Sequence, residues 1–164
     1  MKSGLAIRVD TAQSILDALK ALANKDVLVG IPESKDERDD GDIGNAAIGY
    51  INENGSPAQN IPPRPHLKPG VKSVEQDFMP HLKAAAQKAL EGNAEGAVTS
   101  LDRAGTVAAN GVKRCITITG FIPLSDVTLD QRRKRGRTGN KPLIDTGEYR
   151  RSITHVVRYK DADT

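Results

Sequence analysis

Residues 56–70 read SPAQNIPPRPHLKPG, and no other stretch of the chain restricts its backbone so tightly. Each of the five prolines here fixes φ and removes a hydrogen-bond donor, which argues against a regular helix or an interior strand. The spacing predicts an extended segment, partly polyproline II, with regular structure on either side of it.

Upstream, GLAIRV at 4–9 reads as a short strand, and Asp10 or Thr11 offers an oxygen to the free N–H groups of a following helix. From Ala12, the apolar residues Ile15, Leu16, Leu19, Leu22 and Ala23 recur at helical spacing, and this helix should stop near Asn24. DVLVGI at 26–31 is a short, β-branched strand ended by Pro32. Asp42 is placed to cap a helix over 43–53 that carries Ala47, Ile48, Tyr50 and Ile51, and Gly55 can end it in the left-handed conformation.

Downstream, residues 71–90 repeat Val71, Val74, Phe78, Leu82, Ala85, Ala86 and Ala89 on one helical side, with Pro80 predicting a kink or break. A second helix, about 95–113, has a stripe of Ala97, Val98, Leu101, Ala104 and Ala108, small enough for close helix packing. RCITIT at 114–119 fits a helix end or a strand. Residues 120–142 show no period, which predicts an irregular loop, unordered until a partner holds it. DTGEYRRS makes a turn and one helical turn, and ITHVVRY at 153–159 alternates as a strand. Strands at both ends with helices between predict an α+β fold: a small, mostly antiparallel sheet packed with several helices and long extended loops. The expected organisation is one domain over 1–164.

Aromatic residues make up only 3 % of the chain, so the core must rest on Ile, Leu, Val and Ala, and part of it can be completed by a partner. The net charge of +3 conceals an uneven distribution. Residues 33–42 carry Glu33, Asp36, Glu37, Asp39, Asp40 and Asp42 against Lys35 and Arg38. Residues 131–141 carry Arg132, Arg133, Lys134, Arg135, Arg137 and Lys141 with no acid. Two solvated loops account for this; so do complementary surfaces that set register between subunits.

A single cysteine, Cys115, leaves no internal disulfide, and its apolar-leaning surroundings predict a buried thiol. No apolar run reaches the ~20 residues of a membrane span, and MKSGLAIRVD lacks a signal-peptide core, so the expected setting is a reducing cytoplasm. His66, His81 and His155 lack metal-ligand spacing and are expected at the surface or an interface. GRTGNK lacks the strand and spacing of a phosphate loop, and the serines sit in no nucleophile elbow. The residues therefore imply no catalytic group, metal or cofactor. RRKRGR can neutralise phosphates but has no aromatic residue for stacking bases, so any DNA contact would be nonspecific.

Several pieces recur in one order: VGIP at 29–32, Ala47 and Ile51 before Asn52-Glu53 and Gly55, then Ile61-Pro62, Arg64 and Pro65. They continue with Pro123, Leu124, Thr128 and Arg132, and with PLIDTG at 142–147 followed by Ser152 and Ile153. This series resembles the tailed-bacteriophage neck and tail-completion proteins, the HK97 gp10-like group and the virion-morphogenesis proteins of Mu-like phages. It spans about residues 25–155 and departs at Tyr149, where leucine is usual. The resemblance implies a non-enzymatic virion protein, assembled in the host cytoplasm, that forms a homo-oligomeric ring of sixfold symmetry at the head–tail junction. Its implied partners are further copies of itself, other neck and tail-tube proteins, and the DNA in the channel, without a membrane.

On that reading Ile61, Pro62, Pro63, Arg64, Pro65 and His66 form an arm that meets a neighbouring subunit. Asp145, Thr146 and Gly147 set a turn at the interface. Arg132, Arg133, Lys134, Arg135 and Arg137 face DNA in the lumen or an acidic neighbour. The alternative is a small cytoplasmic protein that binds nucleic acid nonspecifically through a basic arm.

Overall fold

A computed structural model describes residues 11–39 and 43–160. The proposed strand at 4–9 and the proposed caps Asp10 and Asp42 lie outside them. Within them the chain is an α+β fold with this element order: α1 (Ala12–Ala23), β1 (Lys25–Gly30), α2 (Asn45–Asn54), α3 (Leu67–Ser73), α4 (Glu75–Leu90), α5 (Ala94–Ile118), α6 (Asp126–Lys134), α7 (Glu148–Ser152) and β2 (Thr154–Tyr159). β1 and β2 pair antiparallel, with Lys25 opposite Tyr159 and Gly30 opposite Thr154.

The long helix α5 is the spine. α3 and α4 lie along it, the sheet packs on it, and α1 packs on α4. Its buried positions are mostly small: Ala97, Ser100, Ala104, Gly105, Ala108, Ala109 and Gly111. Small residues contribute little apolar area but let backbones approach closely, which favours dense packing of helices. The approach is tightest where α3 crosses α5. A Cβ on Gly70 would lie 2.5 Å from Val112 Cα, and one on Gly111 would lie 2.6 Å from Gly70 O. The larger apolar core adjoins this crossing at the C-terminal end of α5, where Val112, Ile116, Tyr149 and Ile153 are buried against Val29, Ile48, Leu67, Val71 and Leu143.

Four expectations are corrected. The proline-rich stretch is not extended to Gly70: α3 begins at Leu67 and takes Pro69 as its third residue. A proline there forgoes an N–H that has no helical partner anyway. Next, the break in 71–90 falls at Val74 (φ −117°, ψ 19°), and α4 continues through Pro80. Pro80 removes one bond, to Gln76 O, early in a helix that α5 supports along its length. The third correction concerns 120–142, which is not wholly irregular: Ser125 caps α6 by accepting from Thr128 N at 3.3 Å. Finally, Cys115 is not buried but half-buried, with Sγ 3.4 Å from Thr119 Oγ1, and Ile116 takes the inward place; of the two readings of RCITIT, the helix end is the one observed.

α2 shows how the acidic loop is used. Asp36 Oδ1 accepts from Ala46 N at 2.6 Å and Asp36 O from Asn45 N at 2.9 Å, so a residue ten positions upstream caps the helix. Arg38 donates to Asn45 Oδ1 at 2.7 Å and lies 3.8 Å from Glu148. The loop is thus partly committed within the chain.

Candidate functional site

The segments that carry the family resemblance converge on two adjoining polar networks. The first is centred on His66, whose side chain is fully buried. The strand-like run before it alternates, with Arg64 and His66 turned inward and Pro63 and Pro65 outward. Arg64 N donates to Asn52 O at 2.6 Å, which ties this run to α2. Glu53, in the last turn of α2, accepts from the backbone N–H groups of His66 (2.6 Å), Leu67 (2.8 Å) and Lys68 (3.2 Å). One carboxylate therefore satisfies the free donors at the start of α3 and faces the positive end of its dipole.

The bonds of His66 define its state. Nδ1 lies 2.7 Å from Arg64 O, an acceptor only, so Nδ1 carries the proton. Nε2 then accepts from the Tyr149 hydroxyl. Burial pushes the imidazole pKa down, against the opposing pull of the Arg64 carbonyl and the Glu53 charge, and the ring is held neutral. Burial pushes the Glu53 carboxyl up, but its three backbone donors and His66 outweigh this, so the carboxyl ends below its usual range. The Tyr149 phenol is pushed well up, by burial first and by the Glu53 charge second. Arg64 completes the network: Nε donates to Ile122 O at 2.9 Å and a terminal nitrogen to Pro123 O at 3.1 Å. His66 also meets Phe121 and Tyr149 edge-on.

Arg132 organises the second network from α6. Its guanidinium donates to three carbonyls, of Gly139 (3.0 Å), Lys141 (3.0 Å) and Ile144 (3.1 Å), and lies 3.4 Å from Asp145 Oδ1. Arg137 bonds Asp145 Oδ2 at 2.6 Å. These contacts hold the stretch in which Leu143 takes the left-handed φ of 62°. The turn that follows uses Thr146 Oγ1 to accept from Glu148 N at 3.3 Å, and Gly147 at φ 80°. A pocket of about 210 Å³ lies between the networks, lined by Arg38, Asn52, Leu124, Arg132, Asp145 and Tyr149 among others.

Of the proposed arm residues, Arg64 and His66 are buried, Ile61 and Pro62 half-buried, and only Pro63 and Pro65 exposed. The arm is a fixed part of the fold. Of the basic residues, Arg132 is 8 % exposed and cannot line a lumen, and Arg137 is half-buried on Asp145. Arg133, Lys134 and Arg135 face outward, Arg133 in contact with Asp130 at 2.8 Å. The expectation of a surface histidine fails at His66. Tyr149 is also more than an apolar substitute for leucine, because its hydroxyl closes the network.

The chemistry of the first network is inward. The Glu53, His66 and Tyr149 groups are bonded to one another or to backbone, and the imidazole is closed to solvent. This arrangement joins α2, α3, α7 and the 121–123 segment as a polar hub. Among the described residues, no group of three or more His, Cys, Asp or Glu side chains is placed to hold a metal ion. No described helix is long and apolar enough to cross a membrane. No protein-family model, curated protein or solved structure matches the chain.

Proposed function

We propose that this chain is a structural subunit of the head–tail junction of a tailed bacteriophage, a neck or tail-completion protein that packs copy against copy into a ring around the DNA channel. The observation that carries the reading is the surface of residues 118–127. This stretch leaves the end of α5 and enters α6 with Ile118 68 %, Ile122 53 % and Val127 67 % exposed. The backbone beneath it is pinned at the carbonyls of Ile122 and Pro123 by buried Arg64. A pinned apolar ridge loses little entropy when it docks, which suits a contact repeated identically around a ring.

Two further features support the reading. The residues of the resemblance gather in hubs that hold long connecting segments in place, and the Ala-rich core leaves Tyr50, Val127 and Tyr159 among the large side chains outside. Replacing Ile118, Ile122 and Val127 together by aspartate tests it. The variant is expected to keep its far-ultraviolet dichroism, lose ring formation, and leave heads and tails unjoined. Normal joining by this variant would refute the ridge as the subunit contact. In this role the protein would reside in the virion after assembly in the host cytoplasm. The second reading, a small nucleic-acid-binding protein, draws its support from the exposed basic residues.

A further inference from the structure

Basic side chains outside both hubs meet at the end of α5 from separate parts of the chain. Arg150 of α7 donates from Nε to Lys113 O at 3.2 Å and to Thr117 Oγ1 at 3.0 Å. Lys141 Nζ donates to Thr117 O at 3.2 Å. These bonds suit the carbonyl end of a helix, where positive charge is favoured. They do not account for Lys113 and Lys35, whose ammonium groups make no hydrogen bond or ion pair among the described residues, nor for the outer nitrogens of Arg150, which make none there either.

The group is crowded with like charge. Burial first, then the neighbouring Lys35 and Arg150 charges, lower the hold of Lys113 on its proton. The acids closest in the chain are engaged: Glu148, two residues before Arg150, lies 3.8 Å from Arg38, and Asp36, next to Lys35, caps α2. Glu33 and Glu37 flank Lys35 in the chain and mark the limit of the basic face. Asn140, next to Lys141 in the chain, lines a separate cleft with Arg133 and Arg137.

We propose that Lys113, Arg150 and Lys141, with Lys35 at the margin, form a face that binds the phosphate backbone of duplex DNA. A phosphate would relieve the repulsion among cations whose backbones are already fixed. A face of cationic tips, without an aromatic platform, suits backbone contact that carries no sequence information. An acidic protein segment is the other polyanion that could settle here. Protein interfaces centre on apolar and aromatic anchors, which this molecule offers on the 118–127 ridge. The inference rests on the ring reading, which supplies the DNA, and moves the DNA-facing residues from Arg132 and its neighbours to the end of α5.

The test measures binding of the full chain to an arbitrary 20-base-pair duplex across a salt series. About three or four neutralised phosphates predict a slope of log K against log salt near −3. Lys113→Gln with Lys141→Gln removes two contacts and should flatten the slope by about 2. Lys20→Gln with Lys83→Gln, on α1 and α4, should leave it unchanged. An unchanged slope in the first pair, or displacement of the duplex by a glutamate-rich peptide of equal charge, would overturn the proposal. Particles made with the Lys113/Lys141 variant separate the two readings: loss of DNA binding with normal ring incorporation removes only this inference. Salt-dependent DNA binding by a wild-type protein that is absent from particles removes the ring reading and leaves this face standing.

Discussion

Glu53→Gln is the substitution that most sharply tests the hub. The carboxylate accepts three backbone N–H groups at 2.6, 2.8 and 3.2 Å, and its side chain is only 10 % exposed. Hydrogen bonds to a charged group contribute about 1.5–3 kcal/mol each, against about 0.5–1.5 for neutral ones. A glutamine offers one oxygen, so at least one donor of α3 is left facing an NH₂ group, and the favourable interaction with the helix dipole is lost. Two weakened bonds and one unmatched donor together give a loss of about 2–4 kcal/mol. For a chain of this size each kcal/mol moves Tm by about 2–4 °C, so a fall of roughly 4–16 °C is expected in scanning calorimetry at neutral pH. Glu37→Gln, at an exposed carboxylate, should change stability by no more than about 0.5 kcal/mol. The gap between wild type and Glu53→Gln should also narrow in acid. A carboxyl held below its ordinary value of 4.5 stabilises the fold above that pH and loses this contribution as pH falls through its folded pKa. A Glu53→Gln protein melting within 2 °C of wild type would refute the assignment of Glu53 as the cap of α3.

His66 gives an independent pH signature. Its folded pKa lies below the ordinary 6.5, so the unfolded chain binds the extra proton first and stability falls as pH drops below 6.5, by at most about 1.4 kcal/mol per pH unit. Urea midpoints at pH 7.5, 6.5 and 5.5 should show this fall in wild type and a flatter profile in His66→Gln, which starts less stable; parallel profiles would contradict a buried neutral imidazole. Arg132→Gln frees three carbonyls and leaves Asp145 with Arg137 as its cation, a loss of about 2–4 kcal/mol. Limited trypsin digestion should then cut faster within 133–141, and an unchanged cutting rate would show that Arg132 does not hold this segment.

The parts of the fold legible in the sequence are those set by local pattern. The apolar stripe of α1, the β-branched run of β1, the alternation of β2 and the small-residue face of α5 each reflect one periodicity acting on adjacent residues. α6 escaped that reading because its inward side is formed by Arg132, and a helix buried through a guanidinium has no apolar period. Its local signal was Ser125, whose cap bond to Thr128 N begins the helix. α3 was hidden by prolines, whose restriction differs between the first turn of a helix and its interior. The hubs were legible as motifs and not as contacts. His66 and Tyr149 lie 83 residues apart, and Glu53 and His66 lie 13 apart, so nothing local shows that they meet. Reading the prolines and arginines as free arms placed outside what the fold encloses, because hydrogen bonding to backbone carbonyls makes Arg64 and Arg132 core residues.

Averaged electron-microscopy density of the particle neck tests the ring most directly. The account predicts repeated copies of this fold encircling the DNA channel between head and tail, with the Ile118–Val127 ridge seated on the next copy and the Lys113–Arg150 face toward the DNA. Complete particles whose neck density holds no such copies would contradict it.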